Sequence, residues 1–274
     1  MREEYELYSV IKYKNEKINV QQKAKEHLEE LDKKISIERD QYGFLHGLLT
    51  QTGQNLVESV KLALEFIGFQ KIIDIDKQIC NENTYKPKQE DLQIHDNSPT
   101  LLLEIKGLSS LPREADTIQV TKYVNRRIKD WNRTDVHGVS IINHQRNIPA
   151  LERDNQNIFT EQQIEDAKNY DITLISTWDL FLLIRGMMKW KWDPEAIRNL
   201  FYISGRISRL PGNYRSVAEI VKYYEQIGVI SVLVNENKIY KGQRIGYITS
   251  EGYLEEDILS LQIEKQDVEE AIPG

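Results

Sequence analysis

The chain has 274 residues, a formal net charge of -7 and a single cysteine, Cys80. This length allows one or two domains with a sizeable core, and a lone cysteine excludes an internal disulfide and a zinc knuckle. The longest apolar run, residues 180–184, is too short to span a bilayer, and the N-terminus lacks the apolar core of a signal peptide. We therefore expect a cytoplasmic protein with no membrane span.

Residues 1–40 are dense in charges of both signs. Within them Ala24, Leu28, Leu31 and Ile35 are spaced four, three and four residues apart, which is typical of one face of a helix. We expect a helical extension that either forms a short coiled coil or packs onto the domain that follows.

A second helical pattern covers residues 56–67. Thr52 or Asn55 is expected to cap its start, and Gly68 its end. Glu58 falls on the polar side of this helix by the 3.6-residue periodicity.

Residues 89–107 have the pattern of an acidic hairpin. Leu92 and Ile94 alternate with polar residues, residues 96–99 supply turn chemistry, and residues 101–105 are mostly apolar. Side chains alternate faces along a strand, so Glu104 and Lys106 share a face, and Asp91 on the neighbouring strand is expected to lie opposite them. Two carboxylates and one ammonium would then meet at one point.

Metal-assisted phosphodiester hydrolysis uses this combination of groups. Hard cations such as Mg²⁺ take oxygen ligands, which Asp91, Glu104 and the backbone carbonyl of Ile105 can supply. The metal polarises the phosphate and helps to form hydroxide. Lys106, two residues beyond Glu104, can orient the water or stabilise the charge that develops on phosphorus. The other interpretation is a solvated carboxylate beside an exposed cross-strand ion pair.

The segment after the hairpin predicts a helix with Asp116 as its N-cap. Gln119 and Tyr123 are four residues apart and would address one site together. Basic residues follow closely, and they are expected either to contact nucleic-acid phosphates or to form an ordinary solvated face. The candidates for phosphate contact are Lys122, Arg126, Arg127 and Arg133.

The rest of the chain predicts an α/β unit followed by short strands. Residues 136–143 and 171–176 have strand patterns, and a capped helix begins at Thr177. The polar stretch 146–161 between these strands is expected to be a mobile surface loop. Beyond residue 216 short strands alternate with turns, which suggests a small antiparallel barrel.

The order Asp, then Glu-x-Lys, then Gln-x-x-x-Tyr resembles the PD-(D/E)xK superfamily of restriction-endonuclease-like phosphodiesterases, and its last part resembles the RecB-type branch. The residues that carry the resemblance are Asp91, Glu104, Ile105, Lys106, Gln119 and Tyr123.

The resemblance implies a mixed central sheet flanked by helices, with Mg²⁺ or Mn²⁺ as cofactor and DNA as substrate. It implies that Gln119 and Tyr123 flank the active site and position either the substrate phosphate or Lys106. A glutamate on the opening helix joins the metal site in many such domains, and Glu58 is the position available here.

The C-terminal part resembles the second-domain β-barrel of translation elongation factors. The similarity lies in Ile-Gly-Val-Ile at 227–230, Tyr-Lys-Gly-Gln-Arg-Ile at 240–245 and the segment 268–274. This part is acidic, which disfavours contact with a phosphate backbone, so a partner-docking or structural role is expected.

These patterns divide the chain into a helical extension (1–40), a nuclease-like α/β domain (41–188), a helical linker (189–215) and a partial β-barrel-like domain (216–274). The expected function is metal-dependent hydrolysis of DNA phosphodiester bonds, in genome defence or repair. The alternative is a non-cleaving nuclease-like scaffold, or an interaction subunit of a nucleic-acid-processing complex. A protein partner would bind through the C-terminal β domain or the N-terminal helix.

Overall fold

The structure is a computed structural model that describes residues 5–75, 77, 89–207, 209–211, 214–249 and 252–274. It divides into two compact units, one that ends at His46 and one that runs from Gly47 to Gly274. The sequence also predicts a polar loop around residues 81–89; residues 81–88 of it, like Cys80, lie outside the described residues. Within those ranges no helix has both the length and the apolar character needed to cross a membrane.

Helix α1 spans Tyr8–Thr50 and continues past the end predicted at residue 40. The apolar stripe predicted on it is exposed to solvent: Leu28 is 61% exposed, and Leu31 and Ile35 are 39% and 47% exposed. The predicted coiled coil stays a prediction.

Six strands of the described chain form one mixed sheet, in which the spatial order of the strands follows the sequence. The first three strands pair antiparallel, and the third to the sixth pair parallel. The prediction of a mixed α/β sheet flanked by helices is confirmed. The strands are β1 (Ile72–Asp74), β2 (Leu92–Ile94), β3 (Thr100–Gly107), β4 (Val136–Asn143), β5 (Ile172–Ser176) and β6 (Gly205–Arg206).

Strand β3 is the central element of the sheet. It lies between an antiparallel neighbour, β2, and a parallel neighbour, β4. Its first six residues are buried, which explains the nearly unbroken apolar run in the sequence. Glu104, the charged residue among these six, is therefore removed from water.

Helices cover the sheet. Helix α2 follows Thr52 and ends at Gly68, whose φ of 101° is the left-handed conformation that glycine adopts without strain. The helices after α1 are α2 (Gly53–Ile67), α3 (Glu114–Thr117), α4 (Val120–Trp131), α5 (Glu161–Asn169), α6 (Thr177–Trp190) and α7 (Pro194–Leu200), with single 3-10 turns at Ala150–Glu152 and Glu225–Ile227.

The two faces of β3 carry different helices. On one face, Leu102 packs with Val120 and Tyr123 of α4. Gly107 points to the other face, where an added side chain would meet Thr52 at the start of α2. Glu104 and Lys106 share the face of Leu102 by strand alternation, so both lie on the α4 side.

Part of the predicted linker (189–215) joins the α/β sheet and its helices. Strand β6 pairs with β5, and Ile197 and Leu200 of α7 are buried. A two-residue strand has no periodicity that a sequence can reveal, which explains why the sequence did not predict β6. The predicted domain boundaries stay predictions.

From residue 218 onward the described chain forms antiparallel pairs of short strands, β7 with β8, β10 with β11, β12 with β13, and β9 with β14. Trp192, which follows α6, packs against Tyr253 of this part with ring centroids 5.2 Å apart. The likeness to the elongation-factor barrel stays a prediction. The strands are β7 (Ala218–Tyr224), β8 (Val229–Val234), β9 (Ile239–Tyr240), β10 (Arg244–Thr249), β11 (Gly252–Asp257), β12 (Gln262–Ile263), β13 (Gln266–Asp267) and β14 (Glu270–Ala271).

The connection from β4 to α5, predicted to be a mobile surface loop, is anchored in the interior. Arg153 is buried and donates to the Asn143 side chain at 2.9 Å and to the Leu49 carbonyl at 2.7 Å. Ile158, in the same connection, lies in the hydrophobic core. The prediction of a mobile surface loop at residues 146–161 is therefore wrong, because residues within the connection are buried.

His144, the residue after β4, is fully buried. Burial, and next the nearby positive charge of Arg153, lower the pKa of His144 from 6.5 to about 4. The folded chain therefore holds this imidazole neutral at a pH where the unfolded chain protonates it.

We expect the free energy of unfolding to fall as the pH decreases from 6.5 to about 4. Over this range the unfolded chain binds a proton at His144 that the folded chain excludes, so acid favours unfolding. A shift of this size corresponds to a loss of about 3 kcal/mol. Urea unfolding across this pH range measures the slope, which should be smaller in His144→Gln. Equal slopes in both proteins would assign the acid sensitivity to other groups.

Candidate active site

Asp91 and Glu104 meet across the β2–β3 hairpin. The register pairs Leu92 with Leu103, and the Asp91 N–H extends it by donating to the Leu103 carbonyl at 2.9 Å. The Asp91 carboxylate then accepts a hydrogen bond of 2.6 Å from the Ile105 N–H. Opposed residues of antiparallel strands are neighbours, so the structure brings Asp91 next to Glu104.

Glu104 is an acidic residue in the interior of the sheet, with 1% of its surface exposed. A buried carboxylate is unfavourable by several kcal/mol unless hydrogen bonds or opposite charge compensate it. One of its oxygens, Oε1, accepts a hydrogen bond from the Gln119 side-chain amide. Gln119 stands at the N-terminus of α4, on the sheet face to which Glu104 points.

Gln119 joins the acidic residue to the lysine. Its Oε1 accepts from Lys106 Nζ at 2.7 Å, while its Nε2 donates to Glu104 and lies 3.5 Å from the Tyr123 hydroxyl oxygen. An ammonium only donates and a carboxylate only accepts, so this amide orientation is the one that serves both. The structure thus brings together the four residues that the Glu-x-Lys and Gln-x-x-x-Tyr patterns placed at one site.

A further carboxylate, Asp116, also reaches Lys106. The sequence predicted Asp116 as the cap of the Gln119 helix, but α4 begins after Gln119, and Asp116 lies in the preceding helix α3. Its Oδ1 accepts from Lys106 Nζ at 3.0 Å, and its Oδ2 accepts from the Arg113 N–H at 3.0 Å. Asp116 and Gln119 belong to different helices, so helical spacing does not relate them, and no local sequence pattern marks Asp116 as a partner of Lys106.

Asp116 carries its negative charge at neutral pH. Burial favours its neutral form, but the hydrogen bonds from Lys106 and from the Arg113 N–H outweigh burial, so the pKa of Asp116 lies below its ordinary value. Lys106 therefore faces a full negative charge on one side and the Gln119 carbonyl oxygen on the other.

Arg127 does not occupy the place expected for a phosphate-binding residue. Its Nε donates at 2.6 Å to Glu90, whose side chain is fully buried, and its guanidinium also donates to Gln89. Arg127 thus neutralises a buried carboxylate in the residue directly before Asp91, which corrects the sequence interpretation. Sequence reasoning missed Glu90 because neighbouring acidic residues do not reveal which of them is buried.

The other basic residues of this segment differ in their surroundings. Arg133 lies 3.1 Å from the Asp135 carboxylate and stacks over Trp131. Lys122 and Arg126 lie over the ring of Tyr123, at 4.6 Å and 5.7 Å from its centroid. Among the four candidates, Lys122 and Arg126 therefore stand closest to the Gln119–Tyr123 pair along α4.

Glu58 has a different partner from the one expected. It lies on α2 with 41% of its side chain exposed, and its carboxylate pairs with Lys77. The hydrogen bond from Lys77 lowers the pKa of Glu58. The structure thus gives Glu58 a lysine partner, and its role as a metal ligand stays a prediction.

The donor chemistry of the site fits a hard divalent cation. The described residues contain no group of three or more His, Cys, Asp and Glu side chains placed to hold a metal. The site instead offers the carboxylates of Asp91 and Glu104 and the nearby backbone carbonyl of Ile105. Mg²⁺ accepts such a partial set of oxygen ligands because it keeps several of its waters.

Comparison with known proteins adds little to this geometry. No family model and no curated protein matches the sequence. Among solved structures, that of restriction endonuclease FokI matches with a TM-score of 0.39 and 13% identity, over 59% of this chain and 30% of the FokI chain. This chain thus spans less than a third of the length of that protein, and the fold and site rest on its own geometry.

Arg127→Met is expected to lower the free energy of unfolding by about 3–5 kcal/mol, because it leaves the buried Glu90 carboxylate without its positive partner. Lys129→Met, at an exposed position of the same helix, is expected to change it by less than about 0.5 kcal/mol. Urea unfolding at neutral pH measures both. Adding Glu90→Gln to Arg127→Met should recover part of the loss, and equal effects of the two single variants would contradict the assignment.

Proposed function

We propose that the protein is a metal-dependent nuclease that hydrolyses DNA phosphodiester bonds at the site formed by Asp91, Glu104 and Lys106. The observation that carries this proposal is the buried Glu104 joined through Gln119 to Lys106. Apolar residues at such positions often give equal or greater stability, so buried charges are weak support for a purely structural role. Charged groups gathered in this way are typical of functional sites.

Asp91, Glu104 and the Ile105 carbonyl would hold Mg²⁺ or Mn²⁺. The bound ion would polarise the phosphate and favour the ionised form of water. Glu58 is left out of this set because its carboxylate pairs with Lys77.

The residues around the metal set would prepare the reaction. Lys106 would orient the attacking water or stabilise negative charge on phosphorus. Gln119 with Tyr123 would hold the side chains of Lys106 and Glu104 in place relative to each other. In the net hydrolysis the water oxygen bonds to phosphorus, one phosphorus–oxygen ester bond breaks, and the leaving oxygen gains a proton.

Lys122 and Arg126 would contact the DNA backbone beside this site. Lysine and arginine contacts to phosphate fix the position of DNA without reading its sequence. Arg127 is left out of this role because its guanidinium binds the buried Glu90 carboxylate. Arg133 is left out because it follows the C-terminal end of α4, whereas Gln119 stands at the N-terminal end. A role in genome defence or repair is consistent with cleavage that does not depend on base sequence.

Asp91→Asn, Glu104→Gln and Lys106→Met are each expected to slow DNA cleavage by at least about 100-fold, because each removes a metal ligand or the ammonium beside it. Cleavage of linear, circular and single-stranded DNA with Mg²⁺ or Mn²⁺ measures the effect, and a chelator should abolish it. Glu58→Gln is the matched control and should retain cleavage.

The outcomes separate the alternatives. A large loss in Glu58→Gln would return Glu58 to the metal set. A folded native chain that cuts none of these substrates with either metal would overturn the nuclease proposal in favour of a non-cleaving scaffold or an interaction subunit.

Lys122→Ala and Arg126→Ala are expected to weaken binding of all DNA sequences alike and to reduce the slope of log affinity against log salt by about 1 each. Fluorescence anisotropy with the same duplex at several salt concentrations measures this slope. Lys168→Ala on α5, where Lys168 pairs with Glu165, is the control and should leave the slope unchanged. An unchanged slope in both α4 variants would remove this helix face from the DNA path.

A further inference from the structure

Lys106 is held from two sides. Its ammonium donates to Asp116 at 3.0 Å and to Gln119 at 2.7 Å. Gln119 in turn donates to Glu104, so it couples the lysine to the proposed metal set. Of these two acceptors, the Asp116 carboxylate is charged and the Gln119 amide oxygen is neutral.

The two carboxylate oxygens of Asp116 have different partners. Its Oδ2 accepts from the Arg113 N–H, which anchors the carboxylate to the backbone at the start of α3. Its Oδ1 is the atom that accepts from Lys106. Capping of α3 therefore uses one oxygen and binding of Lys106 uses the other, and the two roles are separate in structure.

We propose that Asp116 is a positioning residue that holds the Lys106 ammonium in the place where the hydrolysis needs it. This inference rests on the proposed nuclease function. A lysine side chain has many rotamers, and fixing it in one of them before the substrate binds removes an entropic cost from the reaction. Asp116 contributes no metal ligand in this arrangement and acts only through Lys106.

The first test separates catalysis from binding. Asp116→Ala is expected to lower kcat by about 10- to 100-fold, the size of loss that a displaced catalytic group gives, with a small change in KM. Mn²⁺ affinity, measured by direct titration, should stay unchanged because Asp91 and Glu104 are intact. Glu114→Ala in the same short helix removes an equal charge from an exposed residue and is expected to leave kcat unchanged.

Conservative variants show how far the effect depends on two acceptor oxygens at position 116. Asp116→Glu keeps both oxygens and is expected to regain part of the kcat that Asp116→Ala loses. Asp116→Asn keeps one acceptor oxygen and should regain less. The Lys106 ammonium signal in spectra of protein labelled with ¹⁵N-lysine should weaken in Asp116→Ala and persist in Glu114→Ala.

A double variant tests the route through the lysine. Adding Asp116→Ala to Lys106→Met is expected to slow single-turnover cleavage no further, because Asp116 has lost the group through which it acts. If Asp116→Ala slows cleavage by the Lys106→Met variant as much as it slows cleavage by the native protein, the proposal is overturned in favour of a structural role of α3. Cleavage that Asp116→Ala leaves unchanged would overturn this inference alone, whereas absence of metal-dependent cleavage in the native chain would overturn the proposed function with it.

Discussion

The burial of Glu104 in the central strand is the constraint on which the arrangement of the site depends. A carboxylate with 1% exposure needs hydrogen-bond donors, and the nearest helix supplies one through Gln119. Because the same amide accepts from Lys106, the position of the lysine is tied to that of the acidic residue. A site of this kind is preorganised: its charged groups are placed by the fold before any ligand arrives.

The sheet topology explains why the groups converge. Strand β3 pairs antiparallel with β2, which brings Asp91 next to Glu104, and parallel with β4, which requires the crossover that contains α3 and α4. That crossover places Asp116 and Gln119 over the same face of β3. The hairpin thus supplies the acidic residues of the site, and the crossover supplies the groups that hold the lysine.

Adjacent basic residues on α4 illustrate how helical geometry divides roles. Successive residues point about 100° apart around a helix, so Arg127 turns toward buried Glu90, while Arg126 lies over the Tyr123 ring. In the sequence both belong to one basic cluster. A basic residue that pairs with a buried carboxylate and one that can contact a ligand look the same in the sequence. Only the burial of their surroundings distinguishes the two.

The sequence by itself determined the local elements: the hairpin around the turn at residues 96–99, the strand at 136–143, the helix end at Gly68 and the order of the candidate acidic, lysine and glutamine residues. Alternation of side chains and turn chemistry act between near neighbours, so the sequence shows them directly. Only the tertiary structure decided that Asp116 holds Lys106, that Glu90 binds Arg127, that Glu58 pairs with Lys77, and that β6 joins the sheet. Each of these depends on which side chains become buried together. Partners in such contacts are separated by at least ten residues along the chain, and no pattern between near neighbours records the pairing.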